Sequence, residues 1–207
     1  MNAHTQHQSI DGPSGAIECA IDAPVGAPRG VAVVCHPHPQ HGGTMDNKVV
    51  QTLARAFTQL GYTAVRFNFR GVGGSAGTWA QGPGEIEDAL AVIAALRVPA
   101  QPLVLAGFSF GAYVASNAAA RLASSADGTV QRLVLVGPAA SRFDMVAVPQ
   151  DTLVIHGEAD DVVPLAAVLH WARPQSLPVT VIPGAGHFFH GQLSLLKSLV
   201  VRAWPGR

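Results

Sequence analysis

The pentapeptide Gly107-Phe108-Ser109-Phe110-Gly111 stands directly between an apolar run, PLVLA, and a helical pattern, AYVASNAAARLA. A serine on so tight a strand-to-helix turn is forced into a strained backbone conformation that lifts its hydroxyl clear of the chain. Flanking glycines are required there because side chains would collide with the neighbouring strand and helix. The turn also puts the Phe110 NH at the start of a helix, where partial positive charge stabilises an oxyanion. The chemistry this suits is nucleophilic attack on an acyl carbon. Glycine is abundant in the chain, with 22 copies, so the spacing alone says little; the strand before it and the helix after it give the motif its weight.

A serine hydroxyl is a poor nucleophile without a base. Of nine histidines, most read as exposed or structural, but His187 follows the apolar run PVTVI on the Gly-rich turn PGAGHFFHG. His190 reads as the start of the last helix. A carboxylate that orients the base is expected within DTLVIHGEADDVVP. Asp160 and Asp161 are both candidates there, and spacing does not separate them. Adjacent side chains point in different directions, so only one faces the histidine and stabilises its charged form. A second oxyanion donor is expected in the loop after VAVVC, which reads His36-Pro37-His38-Pro39-Gln40-His41-Gly42-Gly43. Neither proline has an NH to give, which leaves the backbone of His38.

Other residues carry blander readings. His36, His38 and His41 stand on a loop stiffened by proline with no acidic cluster beside it and do not read as a zinc site; no metal is expected. The loop Arg70-Gly71-Val72-Gly73-Gly74-Ser75 lacks the lysine of a phosphate-binding loop. It reads as a flexible rim loop with Arg70 in structural hydrogen bonds. Gly73, Gly74, Phe110 and Phe188 are expected along the rim of a substrate pocket. Cys35 reads as a small core residue.

Such residues need elements to hold them. Short apolar runs (VAVVCH, TAVRFNF, PLVLAGF, RLVLVG, DTLVIHG, PVTVIPG) alternate with helical patterns, as buried strands of a parallel sheet covered by helices on both faces do. AIECAIDAP alternates and reads as an edge hairpin strand. A helix beginning with Asp46 as N-cap repeats Val49, Val50, Leu53, Phe57 and Leu60 and stops at Gly61; another runs from about Glu85 to Arg97. The implied fold is α/β, a doubly wound and mostly parallel sheet, in which ligands bind at the carboxyl ends of the strands. Ser109, His187 and the two aspartates all follow strand-like runs.

The 207 residues suit one domain, with residues 1–12 read as a flexible N-terminal segment. Basic and acidic residues balance at 13 each, which favours neither nucleic acid nor an anionic membrane as partner and points to a small-molecule substrate. Two cysteines do not make a disulfide framework. The first residues carry neither a basic cluster nor an apolar stretch, and no apolar run is long enough to span a bilayer. A cytoplasmic location is expected.

On GFSFGA, VIHGEADDVVP, GAGHFF, FNFRGVGGSAG and VVCHPHPQHGGTMDNKVV the chain resembles the α/β-hydrolase superfamily. It is most similar to small bacterial hydrolases without a cap domain, related to dienelactone hydrolases and to prolyl oligopeptidase-like catalytic domains. The resemblance implies that the family's HGxxDxxVP pattern falls on His156 to Pro164 and picks Asp160 over Asp161. It further implies Ser109 as nucleophile, His187 as base, Phe110 and His38 as backbone oxyanion donors, and no cofactor. Dienelactone hydrolases carry cysteine at the position of Ser109, so that activity is not implied. The expectation is hydrolysis of small esters through an acyl-enzyme. A peptidase, thioesterase or acyltransferase on the same residues, or a catalytically silent binding protein, are the alternatives.

Overall fold

The computed structural model describes residues 5–124 and 130–204. Eight strands and five α-helices alternate: β1 (Gln6–Gly12), β2 (Gly15–Asp22), β3 (Val31–Cys35), α1 (Lys48–Gln59), β4 (Thr63–Phe67), α2 (Pro83–Leu96), β5 (Leu103–Phe108), α3 (Phe110–Ala123), β6 (Val130–Val136), β7 (Leu153–Gly157), α4 (Leu165–Ala172), β8 (Val179–Ile182) and α5 (Leu193–Arg202). They form one sheet in the order β1-β2-β4-β3-β5-β6-β7-β8. The β1/β2 and β2/β4 pairs are antiparallel and all the others parallel. This is the doubly wound α/β sheet the sequence implied.

Period-two alternation splits the core between the two faces. Val33, Leu105 and Leu135 point into one layer with α2 and α3, whereas Val34, Ala106 and Val136 point into the other with α1 and α5. Strands buried on both sides must be apolar throughout, and β3 and β5 are buried at every residue. The strand order turns back between β3 and β5: the chain leaves β3 for β4 on one side and leaves β5 for β6 on the other. The loops after β3 and β5 therefore diverge over neighbouring strand ends, where Cys35 pairs with Gly107. That crevice is where such sheets bind ligands.

Four local readings need correction. AIECAIDAP forms β2, a hairpin strand as expected but not the edge, since it pairs with β1 on one side and β4 on the other. Gln6–Gly12 is not a flexible segment but the edge strand β1, pairing along its length with β2; its alternation is polar on both faces because it lies largely outside the core, so no apolar pattern marks it. The earlier part of that stretch, residues 1–4, lies outside the described residues. The N-cap of α1 is Asn47, whose Oδ1 accepts the Val49 NH at 2.9 Å, while Asp46 is drawn to the buried Arg66. Helix α2 begins at Pro83, two residues before the expected start, because proline suits the first helical position and Glu85 accepts the NH groups of Ala80 and Gly82. Cys19 and Cys35 are both buried and unpaired.

Candidate active site

Ser109 has φ 56° and ψ −117°, a conformation that ordinary residues avoid. The surroundings enforce it. The Ser109 NH donates to the Val136 carbonyl of β6 at 2.9 Å. A Cβ on Gly107 would overlap the Gly111 carbonyl, and one on Gly111 would overlap the carbonyls of Cys35 and His36. The two glycines let strand, elbow and the loop after β3 close on one another, as the pentapeptide required.

His187 meets the serine from the other side, with Nε2 3.0 Å from Ser109 Oγ. Its Nδ1 lies 2.7 Å from Asp160 Oδ2. All three side chains are buried. Asp160 Oδ1 accepts the NH groups of Val162 at 3.0 Å and Val163 at 2.7 Å. Burial alone would raise the Asp160 pKa, but the hydrogen bonds from His187 and the Val163 NH outweigh it and hold the carboxyl below its usual range. An ionised Asp160 therefore keeps the proton on Nδ1 and leaves Nε2 free to accept from the serine. Asp161 is exposed and makes no contact with His187 among the described residues.

The loops carrying the acid and the base are fastened together. The Ala159 NH donates to the Ala185 carbonyl at 2.9 Å, and Glu158 accepts the Gly184 NH at 2.9 Å. His156, which sequence reasoning gave no role, donates from Nε2 to the Val163 carbonyl at 2.9 Å and so braces the turn whose amides hold Asp160. Burial lowers its pKa despite the nearby carboxylate. His190 is exposed in the turn before α5, away from the serine contact.

The NH groups of Phe110 and His38 donate to no protein acceptor among the described residues, and both residues line the same cavity as Ser109 and His187. His36, beside them, is fully buried; its Nδ1 faces the Pro37 carbonyl at 2.6 Å and its Nε2 accepts the Phe69 NH at 3.0 Å. With both ring nitrogens engaged, His36 fixes the loop after β3 and has no lone pair left for a metal. Among the described residues no group of three histidines, cysteines or acids is placed to hold a metal ion.

The cavity has a volume of about 340 Å³. Phe188 stands at its mouth, 43% exposed. Gly73 and Gly74 do not line it, contrary to the rim reading: the Gly74 NH is held by Glu18 at 2.8 Å, and Glu18 also accepts from Asn68 at 2.7 Å. Arg70 is structural, clamped on Asp88. Instead the wall comes from the connection between β6 and β7, through Ala139, Arg142 and Phe143, and from Val162. Sequence reasoning missed these residues. No motif or periodicity in the stretch GPAASRFDMVAVPQ marks them. A larger hollow of about 530 Å³ beside α3 and β6 is lined by none of these side chains.

Comparison with known proteins establishes the family and the fold. A family model described as serine aminopeptidase, S33, matches residues 26–150. The chain belongs to that family, within the α/β-hydrolase superfamily. An α/β serine hydrolase without a lid from Xanthomonas campestris is 39% identical, covering 100% of this chain and 98% of its own, with a TM-score of 0.88. An α/β serine hydrolase homologue from Coxiella burnetii is 41% identical over 95% of this chain and 96% of its own, with a TM-score of 0.81. A protein of Rickettsia prowazekii is 31% identical over 196 residues, 87% of this chain and 80% of its own. Among the described residues no cap covers the serine, as in the lidless relative: the segment between β6 and β7 forms turns rather than a separate domain. Among the described residues no helix of this hydrolase is long and apolar enough to cross a membrane.

Proposed function

We propose that this hydrolase cleaves small esters through an acyl-enzyme on Ser109. The observation that carries the reading is the hydrogen-bonded line from Asp160 through His187 to Ser109, at 2.7 and 3.0 Å, on a serine held at positive φ. Ser109 Oγ attacks the carbonyl carbon while its proton passes to His187 Nε2. The tetrahedral oxyanion is met by the Phe110 and His38 NH groups, and Asp160 stabilises the imidazolium. His187 then returns the proton to the leaving alkoxide, and the alcohol departs. Water, deprotonated by the same nitrogen, attacks the acyl-serine; the acyl–Oγ bond then breaks, His187 returns that proton to Ser109 Oγ, and the acid is released.

The family description raises a peptidase as second reading. An aminopeptidase binds a free ammonium and so requires a carboxylate near the serine, yet among the described residues the cavity is lined by no acidic side chain. That favours esters. Rapid mixing with 4-nitrophenyl acetate tests the proposal: a burst of nitrophenolate matching the enzyme concentration, lost in Ser109→Ala, is the expected result. Cleavage of aminoacyl anilides without ester turnover would favour the peptidase.

A further inference from the structure

Arg142 lines the same cavity as Ser109 and His187. It is exposed, and its side chain enters no ion pair or hydrogen bond among the described residues. Five other arginines are matched, Arg66 by Asp22 and Asp46, Arg70 by Asp88, Arg121 by Glu87, and Arg29 and Arg132 by the rings of Tyr62 and Trp204, and among the described residues no arginine but Arg142 lines this cavity. The backbone at Arg142 is fixed. Its NH and that of Phe143 both donate to the Ala139 carbonyl, at 3.0 and 3.1 Å, and the Phe143 ring packs on Phe110 at 5.0 Å and Tyr113 at 4.9 Å. Arg142 also lies close enough to His38, with burial and His41, to help lower that imidazole's pKa. Among the described residues the cavity thus presents one permanent positive charge, on a hydrogen-bonded support, with no acidic side chain in its lining.

We propose that Arg142 is an anion subsite and that the preferred substrates are small esters bearing a carboxylate, such as half-esters of dicarboxylic acids. This rests on the serine-hydrolase reading above and names its substrate class. A guanidinium matches a carboxylate with two parallel hydrogen bonds, a fork that a neutral group of the same shape cannot engage. The neutral wall around it, with the rings of Phe143, Phe110 and His38, suits the short methylene spacer between ester and carboxylate.

The test compares 4-nitrophenyl half-esters of succinate, glutarate and adipate with neutral isosteres in which the carboxylate is replaced by an isopropyl group. In the native enzyme kcat/KM for the best half-ester should exceed its isostere by roughly tenfold or more. Arg142→Gln should bring that ratio close to one and Arg142→Lys should leave it intermediate, since charge survives without the planar fork. An unchanged ratio in Arg142→Gln, or a native preference for the neutral partner at every length, overturns the proposal. Fluorophosphonate labelling of Ser109 on the same samples separates the two claims. If Ser109 is not labelled and no ester is cleaved, the hydrolase reading fails; glutarate titration followed by NMR then decides the subsite alone. Saturable binding weakened roughly tenfold in Arg142→Gln supports it, and equal or absent binding overturns it.

Discussion

His36 Nε2 accepts the backbone NH of Phe69 at 3.0 Å, which ties the loop after β3 to the start of the loop after β4. Its other nitrogen donates to the Pro37 carbonyl. Burial pushes the His36 pKa down to about 4, the Pro37 hydrogen bond opposing it only in part. The folded protein holds this ring neutral, whereas the unfolded chain protonates it near pH 6.5. The unfolded state therefore binds more protons between these values, so the contribution is complete above about pH 6.5 and is lost as pH falls toward 4. Denaturant unfolding across that range should show stability falling by a few kcal/mol, with a shallower slope in His36→Gln. The same slope in both would assign the pH dependence elsewhere.

Strain at Ser109 gives a second expectation. Ser109→Ala and Ser109→Gly should both lower kcat by roughly 10³ or more. The glycine variant should be the more stable of the two by about 1 kcal/mol, because only glycine adopts φ 56°, ψ −117° at little cost. Thermal melts of the two variants check this; equal melting points would mean that the elbow is relaxed.

Asp160 and Asp161 are adjacent in the chain but not in their surroundings. Asp160→Asn should reduce kcat by roughly 10³ to 10⁴, because the amide no longer holds the imidazole in the required tautomer. Asp161→Asn should change it less than about threefold, as expected for an exposed substitution. Steady-state kinetics on variants of matched stability measures the ranking, and the reverse order would move the acid to Asp161.

The size of the cavity sets a limit on acyl length. About 340 Å³ shared among Phe143, Val162, Phe188 and the loop after β3 offers little apolar wall beyond a short chain. Each added CH₂ gains about 0.8 kcal/mol only where it is covered. Across neutral acetyl to palmitoyl esters, kcat/KM should level off early, with no jump at the aggregation threshold. A steady rise to the longest chain would show a binding surface outside this cavity.

Most of the sheet was legible because buried parallel strands must be continuously apolar, and six such runs became β3 to β8. Ser109 and His187 were legible for a related reason: each sits on a glycine-rich turn at a strand end, where sequence and position agree. Asp160 was not separable from Asp161 by spacing, since the choice depends on the Val162 and Val163 amides that capture its other oxygen. The pocket wall was hidden. Arg142 and Phe143 reach the serine only through the packing of the segment between β6 and β7, a tertiary relation with no periodic trace. Gly73 and Gly74 were misplaced for the converse reason, because glycine marks a turn without saying what the turn faces; Glu18, in β2, holds theirs.

The central claim is that Ser109 is the nucleophile. Its most direct test is to label the native protein with a fluorophosphonate, digest it and locate the adduct by mass spectrometry. A single stoichiometric adduct on Ser109, lost in Ser109→Ala and strongly slowed in Asp160→Asn, is the predicted result. An enzyme that hydrolyses esters yet carries no adduct on Ser109, or carries it on another residue, would contradict it.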